Sequence, residues 1–171
     1  MKGALFALLG LLSGCRDATA VMLRVTTDLS CDASMPVTTS ISVGSALSYE
    51  TRAPTAVTTA CDPRTGTIGS LVLVPSGNDD EALAVQVITA TLGKKPEECR
   101  ADAKSCIVAR RVLRFVPHAT LELPVVMKGA CLAVTCAPYE TCASGRCQSN
   151  AVEVAGTTPP LSLDASGLSP P

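Results

Sequence analysis

Cysteine is the residue type in this sequence with the widest choice of chemistry, and the chain contains nine of them. A cysteine sulfur can join a second one as a disulfide, bind zinc as a thiolate, or carry a covalent group. Cys15 stands apart, at the end of an apolar run. The others are Cys31, Cys61, Cys99, Cys106, Cys131, Cys136, Cys142 and Cys147. If Cys15 has a chemistry of its own, an even number remains for disulfides.

The first fourteen residues have the layout of a secretory signal. Met1-Lys2 is followed by an apolar run from Gly3 to Leu12 that is too short to span ~30 Å of hydrocarbon as a helix. Leu12-Ser13-Gly14-Cys15 resembles the lipobox of bacterial lipoproteins, which implies cleavage before Cys15 and lipidation of its thiol and new amino group. The alternative is an ordinary signal peptide with a coincidental cysteine. We expect a signal peptide over 1–14 and a lipid anchor at Cys15, holding the protein to a bacterial membrane of the cell envelope, at the periplasmic face or the cell surface.

The remaining eight cysteines are typical of a framework of four disulfides. The secretory signal predicts the oxidising setting that disulfides need, so the two observations support each other. The last four cysteines are spaced Cys-x4-Cys-x5-Cys-x4-Cys. A four-thiolate zinc site is the alternative there, but zinc sites usually carry close pairs about two to four residues apart. We therefore assign no metal and no cofactor.

The segment 131–147 is too short to build a hydrophobic core, so covalent links must replace one. Its spacing, with Ala143-Ser144-Gly145-Arg146 as a tight turn, resembles the first four cysteines of an EGF-like module. That resemblance implies the pairs Cys131–Cys142 and Cys136–Cys147. The final cysteine pair of a full EGF repeat is missing, so calcium binding is not carried over. A protease-inhibitor knot is the other possibility for this segment.

Chain order narrows the pairing of the other four cysteines. Cys99 and Cys106 flank one charged loop, and the last four cysteines form a compact group. Cys31 and Cys61 are then left for each other. We expect the pairs Cys31–Cys61 and Cys99–Cys106.

Short stretches of alternating or continuous apolar residues predict strands rather than helices, because β-branched residues are frequent and no 3.6-residue period is sustained. Pro124 cannot donate to a ladder, so its strand is expected at a sheet edge. The predicted strands are Ala20–Thr26, Val37–Val43, Leu47–Thr51, Ala56–Ala60, Leu71–Val74, Ala82–Leu92, Ile107–Val116 and Leu121–Met127.

These strands predict an all-β fold, an antiparallel β-sandwich of about seven strands over residues 15–129. An EGF-like cysteine module over 130–148 follows it. Residues 149–171 are rich in Pro, Ser, Thr and Gly and have too little apolar mass to offset ordering entropy. We expect them to form a disordered tail.

The whole arrangement resembles a group of myxobacterial-type cell-surface lipoproteins of unassigned function. The resemblance rests on the lipobox, on a β-rich domain ending in a strand like Leu121–Met127, and on Cys131-Leu132-Ala133-Val134-Thr135-Cys136. It implies no catalytic residue.

Composition excludes some partners. Removal of residues 1–14 takes away Lys2, which lowers the basic count from 14 to 13 against 15 acidic residues. No basic stripe is present to bind phosphates, so we expect no nucleic-acid partner. Tryptophan is absent, and only Tyr49, Phe115 and Tyr139 remain as aromatic residues beyond the signal. This weakens a carbohydrate-binding interpretation.

Few residues suggest catalysis or ion binding. His118 is the only histidine, and it lies in a turn sequence without a nearby nucleophile motif. Asn78–Glu81 could hold a hard cation but lacks EF-hand spacing. Arg110 and Arg111 could dock an anionic partner or simply cover a strand. We therefore expect a binding or structural module that is not an enzyme and whose protein partner is unknown; a surface-acting enzyme or protease inhibitor is the alternative.

Overall fold

The computed structural model describes residues 18–32, 34, 36–100 and 103–153. The predicted signal peptide and the lipid site at Cys15 lie outside these residues. The described chain is all-β, with three short 3₁₀ segments at Pro96–Arg100, Ala103–Ser105 and Gly129–Cys131. No helix within these ranges is long and apolar enough to cross a membrane. The strands are β1 (Ala20–Thr27), β2 (Thr38–Gly44), β3 (Ala56–Thr58), β4 (Thr67–Leu73), β5 (Ala82–Ala90), β6 (Cys106–Arg114), β7 (Thr120–Met127), β8 (Glu140–Ala143) and β9 (Arg146–Ser149).

The predicted strand at Leu47–Thr51 is wrong, because this segment is a series of tight turns. The N–H groups of Ser48 and Tyr49 both donate to the Ser45 carbonyl, at 3.0 and 3.1 Å. The Ser45 and Ser48 hydroxyls also bond each other at 2.9 Å. Serine offers the backbone such local alternatives to a ladder, and the alternation of apolar residues does not reveal them. Tyr49 is buried as a result, while Leu47 is exposed.

Strand β4 begins at Thr67, upstream of the predicted Leu71. Gly66 precedes it with a φ of 66°, and the Thr27 N–H donates to the Gly66 carbonyl at 2.8 Å. A Cβ at Gly66 would lie 2.0 Å from the Thr27 carbonyl oxygen. Only glycine permits both this conformation and this close approach, and they extend the pairing of β4 with β1.

The strands form two larger sheets and one hairpin. A three-stranded sheet has the order β4-β1-β7, a four-stranded sheet has the order β3-β2-β5-β6, and β8 pairs with β9. The position of β7 at the end of its sheet confirms that Pro124 marks an edge. The turn between β8 and β9 is also confirmed, since Ser144 and Gly145 both have positive φ, as a type I′ turn requires.

The expectation of a wholly antiparallel fold is wrong for one pair of strands. β7 runs parallel to β1, from Ala20 opposite Thr120 to Thr27 opposite Met127. Parallel neighbours need a long crossover connection. All four strands of the four-stranded sheet lie between β1 and β7 in sequence and form part of this crossover. Periodicity defines the faces of a strand but carries no information on its direction.

One hydrophobic core joins the two larger sheets. Alternate residues of β1, β5 and β7 are buried in a single cluster: Val21, Leu23, Val25, Leu83, Val85, Val87, Leu123, Val125 and Met127. Buried hydroxyls are paired, since Thr27 Oγ1 donates to the Met127 carbonyl at 2.6 Å and Thr39 Oγ1 lies 2.9 Å from Thr89 Oγ1. The burial of one face of each strand explains the period-two sequence pattern.

The opposite face of the four-stranded sheet is also covered. Ile88 and Ala90 of β5 pack with Cys99 and Cys106, and Ala84 packs with Tyr49 and Val112. β5 is therefore buried at every residue from Leu83 to Ala90. This double burial is the reason that β5 reads as a nearly continuous apolar run.

The cysteine-rich segment lies along the edge of β6 and bonds its backbone. The Ala133 N–H donates to the Cys106 carbonyl at 3.1 Å, and the Arg110 N–H donates to Thr141 Oγ1 at 3.0 Å. Val112 bonds the residues on both sides of Ala151. Its N–H donates to the Asn150 carbonyl at 2.8 Å, and its carbonyl accepts the Val152 N–H at 2.8 Å. These contacts satisfy edge groups that would otherwise face solvent.

Cys131 and Cys142 belong to the same buried cluster as the two larger sheets, so the cysteine-rich segment shares their hydrophobic core. The predicted tail over 149–171 is wrong at its start, because β9 extends to Ser149 and Asn150 is buried. Residues 154–171 lie outside the described residues.

Four disulfides join the eight cysteines of the described residues, and they are the pairs given in the sequence analysis. Cys31 joins Cys61, and Cys99 joins Cys106. Cys131 joins Cys142, and Cys136 joins Cys147, each across a sequence separation of 11. Four disulfides in one small protein indicate an oxidising compartment, extracellular or within the cell envelope.

Candidate functional site

A cleft of about 470 Å³ opens on the outer face of the four-stranded sheet. Residues of β5 and β6 line it, together with the 45–52 turns, the loop before β6 and the cysteine-rich segment. Its lining includes Ile88, Val108 and Val134 as apolar residues and Glu50, Thr51, Gln86, Arg100, Arg110 and Thr135 as polar ones. A volume of this size accommodates a small molecule or a short peptide segment.

Gln86 is the most unusual residue of the cleft. It is only 5 % exposed and lies on β5, directly opposite Arg110 of β6. Its amide oxygen is buried and has no hydrogen-bond partner among the described residues. An unpaired buried acceptor costs about 1–3 kcal/mol. Residues on this face of β5 are otherwise small or apolar, so an apolar residue would satisfy packing equally well.

An ion pair lies beside Gln86. Arg110 Nε bonds the Oε1 atom of Glu50, and the two side chains are 13 % and 30 % exposed. The Arg110 Nη1 also donates to the Glu140 carbonyl at 3.4 Å. The charge of Arg110 is therefore balanced within the protein, although its side chain lines the cleft.

Arg111 is held in a similar way on the other side of β6. Its Nη1 donates to Thr141 Oγ1 at 2.9 Å and to the Arg110 carbonyl at 2.7 Å. Burial lowers the pKa of the Arg111 guanidinium. Of the two interpretations of these arginines, covering a strand fits better than docking an anion, because both join β6 to the cysteine-rich segment.

Tyr49 connects the 45–52 turns to the same segment. Its hydroxyl lies 3.0 Å from the Pro138 carbonyl and 3.2 Å from Glu50 Oε1, and these two acceptors share its one proton. Burial, and secondarily the negative charge of Glu50, raises the pKa of Tyr49 to about 12. The phenol is therefore neutral at every physiological pH and acts as a hydrogen-bond donor.

Alkaline titration of tyrosine absorbance provides a test of this environment, since the chain has two tyrosines and no tryptophan. In a Tyr139→Phe variant, we expect the remaining tyrosine to ionise near pH 12 rather than at its ordinary value of 10.0. Because the folded-state pKa is raised, the neutral phenol contributes stability fully below pH 10, and this contribution is lost as the pH rises through 12. Ionisation near pH 10 in the folded Tyr139→Phe variant would contradict the described burial.

The other sequence candidates lie away from the cleft. His118 is exposed in a turn with a φ of 59°, and its N–H donates to Thr19 Oγ1 at 2.9 Å. In the Asn78–Glu81 stretch, Glu81 Oε1 accepts the Ser76 N–H at 2.7 Å, and the Asp80 carbonyl accepts Arg114 Nη1 at 3.2 Å. These bonds close a loop, and the carboxylates of this stretch are not among the described groups that lie close enough together to bind a metal ion.

Among the described residues, one group has the proximity that metal ligands need: Cys136, Glu140 and Cys147. Cys136 and Cys147 are joined as a disulfide, so neither offers a thiolate. The Glu140 Oε2 accepts the Ala137 N–H at 3.2 Å. This group therefore stabilises the start of the β8–β9 hairpin.

Sequence reasoning missed Glu50, Tyr49 and Gln86 as parts of one site. Glu50 and Tyr49 fell within the strand that does not form, so their orientation could not be derived. Gln86 had a usable signal, because it is the one amide side chain within the apolar run of β5. A polar residue at the centre of such a run indicates a partner that packing alone does not require.

No protein-family model, curated protein or solved structure matches this chain.

Proposed function

We propose that this chain is a lipid-anchored lipoprotein of the bacterial cell envelope that acts as a binding or structural module without catalytic activity, similar to the myxobacterial-type group. Its two larger sheets form a mixed β-sandwich of seven strands, and the segment 131–147 is an EGF-like module. The four disulfides, the lipobox and the common core of the two sheets support this proposal. The first-to-third and second-to-fourth pairing in the cysteine segment supports the EGF-like assignment.

The anchor is tested by removal of the thiol. Cys15→Ala is expected to move the protein from the detergent-rich to the aqueous phase, since stable attachment requires two or more acyl chains. Phase partitioning of membranes from the producing cells, followed by immunodetection, measures this. Ser13→Ala is the matched control, because it keeps a small residue in the motif and the thiol in place. Equal partitioning of the Cys15→Ala protein and the unmodified chain would refute lipidation.

The main support for a binding role is the amide oxygen of Gln86, which has no hydrogen-bond partner among the described residues. Gln86 lines the cleft beside apolar walls and beside an arginine whose charge Glu50 already balances, and a ligand reaches its buried amide oxygen when the side chain rotates into the cleft. A compound with an amide N–H and a small apolar part would supply the missing hydrogen-bond donor to Gln86 and would contact the apolar walls. The ligand class is therefore amide-bearing, such as a peptide segment. The His118 imidazole and the Asp79 and Asp80 carboxylates do not line the cleft, and this favours binding over catalysis.

The chain contains two glutamines, and Gln148 is exposed on β9, so it serves as a matched control. Gln86→Leu is expected to raise the free energy of unfolding by about 1 kcal/mol, because it removes an unpaired acceptor without leaving a void. Gln148→Leu should change it by less than about 0.5 kcal/mol. Chemical denaturation measures both, and a loss of stability in Gln86→Leu would show that the amide is satisfied within the protein.

Binding itself is tested by NMR with N-acetylglycine N-methylamide as the probe. The side-chain amide resonances of Gln86 should shift with increasing probe, while those of Gln148 remain in place. Gln86→Leu should also abolish the probe-induced shifts of neighbouring backbone amides, such as that of Ile88. Unchanged Gln86 resonances at saturating probe would contradict an amide-binding cleft, and the lipid anchor would be unaffected by that result.

A further inference from the structure

The edges of the two larger sheets differ in how they are protected. An exposed sheet edge is a template for pairing with another strand, and proteins block it with proline, very short strands or a covering segment. β7 carries Pro124, β3 has only three residues, and the cysteine-rich segment covers β6. The remaining edge strand, β4, lacks these three devices among the described residues, although a register shift opposite Val25 and Thr26 marks an irregularity near its start.

The chemistry of β4 favours pairing. No charged residue lies between Arg64 and Asp79, so the whole of β4 (Thr67–Leu73) is uncharged. Val72 is 59 % exposed on the solvent face of the sheet, and Val74 directly beyond the strand is exposed as well. Beyond this register shift, the stretch from Gly69 to Leu73 is a regular and uncharged edge, and such an edge favours association.

The register of β1 shows which backbone groups of β4 are unused. The Ala20 N–H donates to the Ala119 carbonyl, so the peptide groups of Ala20, and by alternation those of Met22 and Arg24, face β7. Val72 and Ser70 lie opposite Met22 and Arg24 in non-hydrogen-bonded pairs. The N–H and C=O groups of Ser70 and Val72 therefore point away from β1, towards the open edge.

We propose that β4 pairs antiparallel with β4 of a second copy of this chain, around a twofold axis that passes beside Leu71. In this register, Ser70 of each copy lies opposite Val72 of the other, and each such pair exchanges two N–H···O bonds. The two three-stranded sheets then become one six-stranded sheet with the order β7-β1-β4-β4-β1-β7. Both open edges are satisfied at once, as an isologous interface requires.

A second copy suits this edge better than other occupants do. Antiparallel self-pairing brings no like charges together, because β4 has none, and it covers Val72 of both copies. A charged partner would find no complementary group on the strand. The segment 154–171 contains Pro159, Pro160, Pro170 and Pro171, which supply no N–H for a ladder. Among the described strands, β4 itself matches this edge in length, polarity and register.

Sedimentation equilibrium of the full chain carrying Cys15→Ala, with its four disulfides intact, tests the proposal. We expect a monomer–dimer equilibrium that Val72→Lys weakens by about tenfold or more, since lysine on an edge opposes pairing. Val126→Lys is the matched control, because Val126 is also exposed, at 44 %, on the other edge strand of the same sheet. It should weaken the dimer by less than about threefold.

A second variant tests the backbone directly. Ser70→Pro removes an N–H that β1 does not use, so the fold persists while the edge loses a donor. It should weaken the dimer as Val72→Lys does, whereas Ser70→Ala should not. Hydrogen exchange at the Ser70 and Val72 amides should slow as the protein concentration rises. A chain that stays monomeric, a dimer unaffected by both edge variants, or edge amides protected in the monomer would each overturn the proposal.

Discussion

Replacement of both Cys131 and Cys142 by alanine is expected to destabilise the entire protein by about 5 kcal/mol. The chain-entropy term for a loop of this length is about 3 kcal/mol. Both residues also belong to the main hydrophobic core, where they are 2 % and 7 % exposed. Removal of two buried sulfur atoms leaves cavities that cost about 2 kcal/mol more. Chemical denaturation, followed by circular dichroism, measures the difference.

The other disulfide of the segment provides a matched control. Cys136–Cys147 has the same sequence separation of 11, so its chain-entropy term is the same, but Cys147 is exposed. The double alanine variant of this pair should lose only about 3 kcal/mol. Native-state hydrogen exchange at Leu23 and Val25 of β1 separates two outcomes. Faster exchange in the Cys131/Cys142 variant is expected, and unchanged exchange would mean that the core stands without the cysteine-rich segment.

The sequence predicted most strands because the burial of one sheet face imposes a period of two. The parallel direction of β7 was not predictable in this way, since Leu121, Leu123 and Val125 would face the core in either direction. Order along the chain limited the partners of Cys31, Cys61, Cys99 and Cys106, whereas the pairing of the last four cysteines was implied by the resemblance to an EGF-like module. The docking of the cysteine-rich segment on β6 could not be predicted from the sequence. It depends on backbone N–H and C=O groups, such as those of Val112, and nearly every residue carries such groups.

The candidate site was harder to predict than the fold. Its ion pair joins Glu50 and Arg110, which are separated by 60 residues and lie on a turn and a strand. Sequence analysis placed Glu50 in a strand and could not give its direction. Sequence analysis considered His118, Asn78–Glu81, Arg110 and Arg111 for their reactive, ligating or charged groups. Of these, Arg110 lines the cleft. In the structure, the Glu81 carboxylate accepts the Ser76 N–H and so closes the loop that contains both residues. No local sequence pattern predicts this bond.

The ion pair in the cleft is expected to contribute much more to stability than a surface pair does. Glu50→Ala leaves the guanidinium of Arg110, only 13 % exposed, without its carboxylate. Complete burial of such a pair would make its disruption cost about 3–5 kcal/mol. The partial exposure of Glu50 lowers the expected loss to about 2 kcal/mol. Thermal and chemical denaturation of Glu50→Ala and Arg110→Ala measure this loss.

The pair formed by Arg24 and Glu122 is the control, because its atoms lie 2.9 Å apart while its side chains are 54 % and 57 % exposed. Glu122→Ala should therefore cost less than about 1 kcal/mol. A combined Glu50→Leu and Arg110→Met variant should be more stable than either single alanine variant, because no charge is then left buried without a partner. Glu50→Ala should also lower the pKa of Tyr49 from about 12, since Glu50 is one of the groups that raise it. Equal losses in Glu50→Ala and Glu122→Ala would mean that water screens the cleft pair as fully as the surface pair, and the cleft would then be too wet to favour an amide ligand over water.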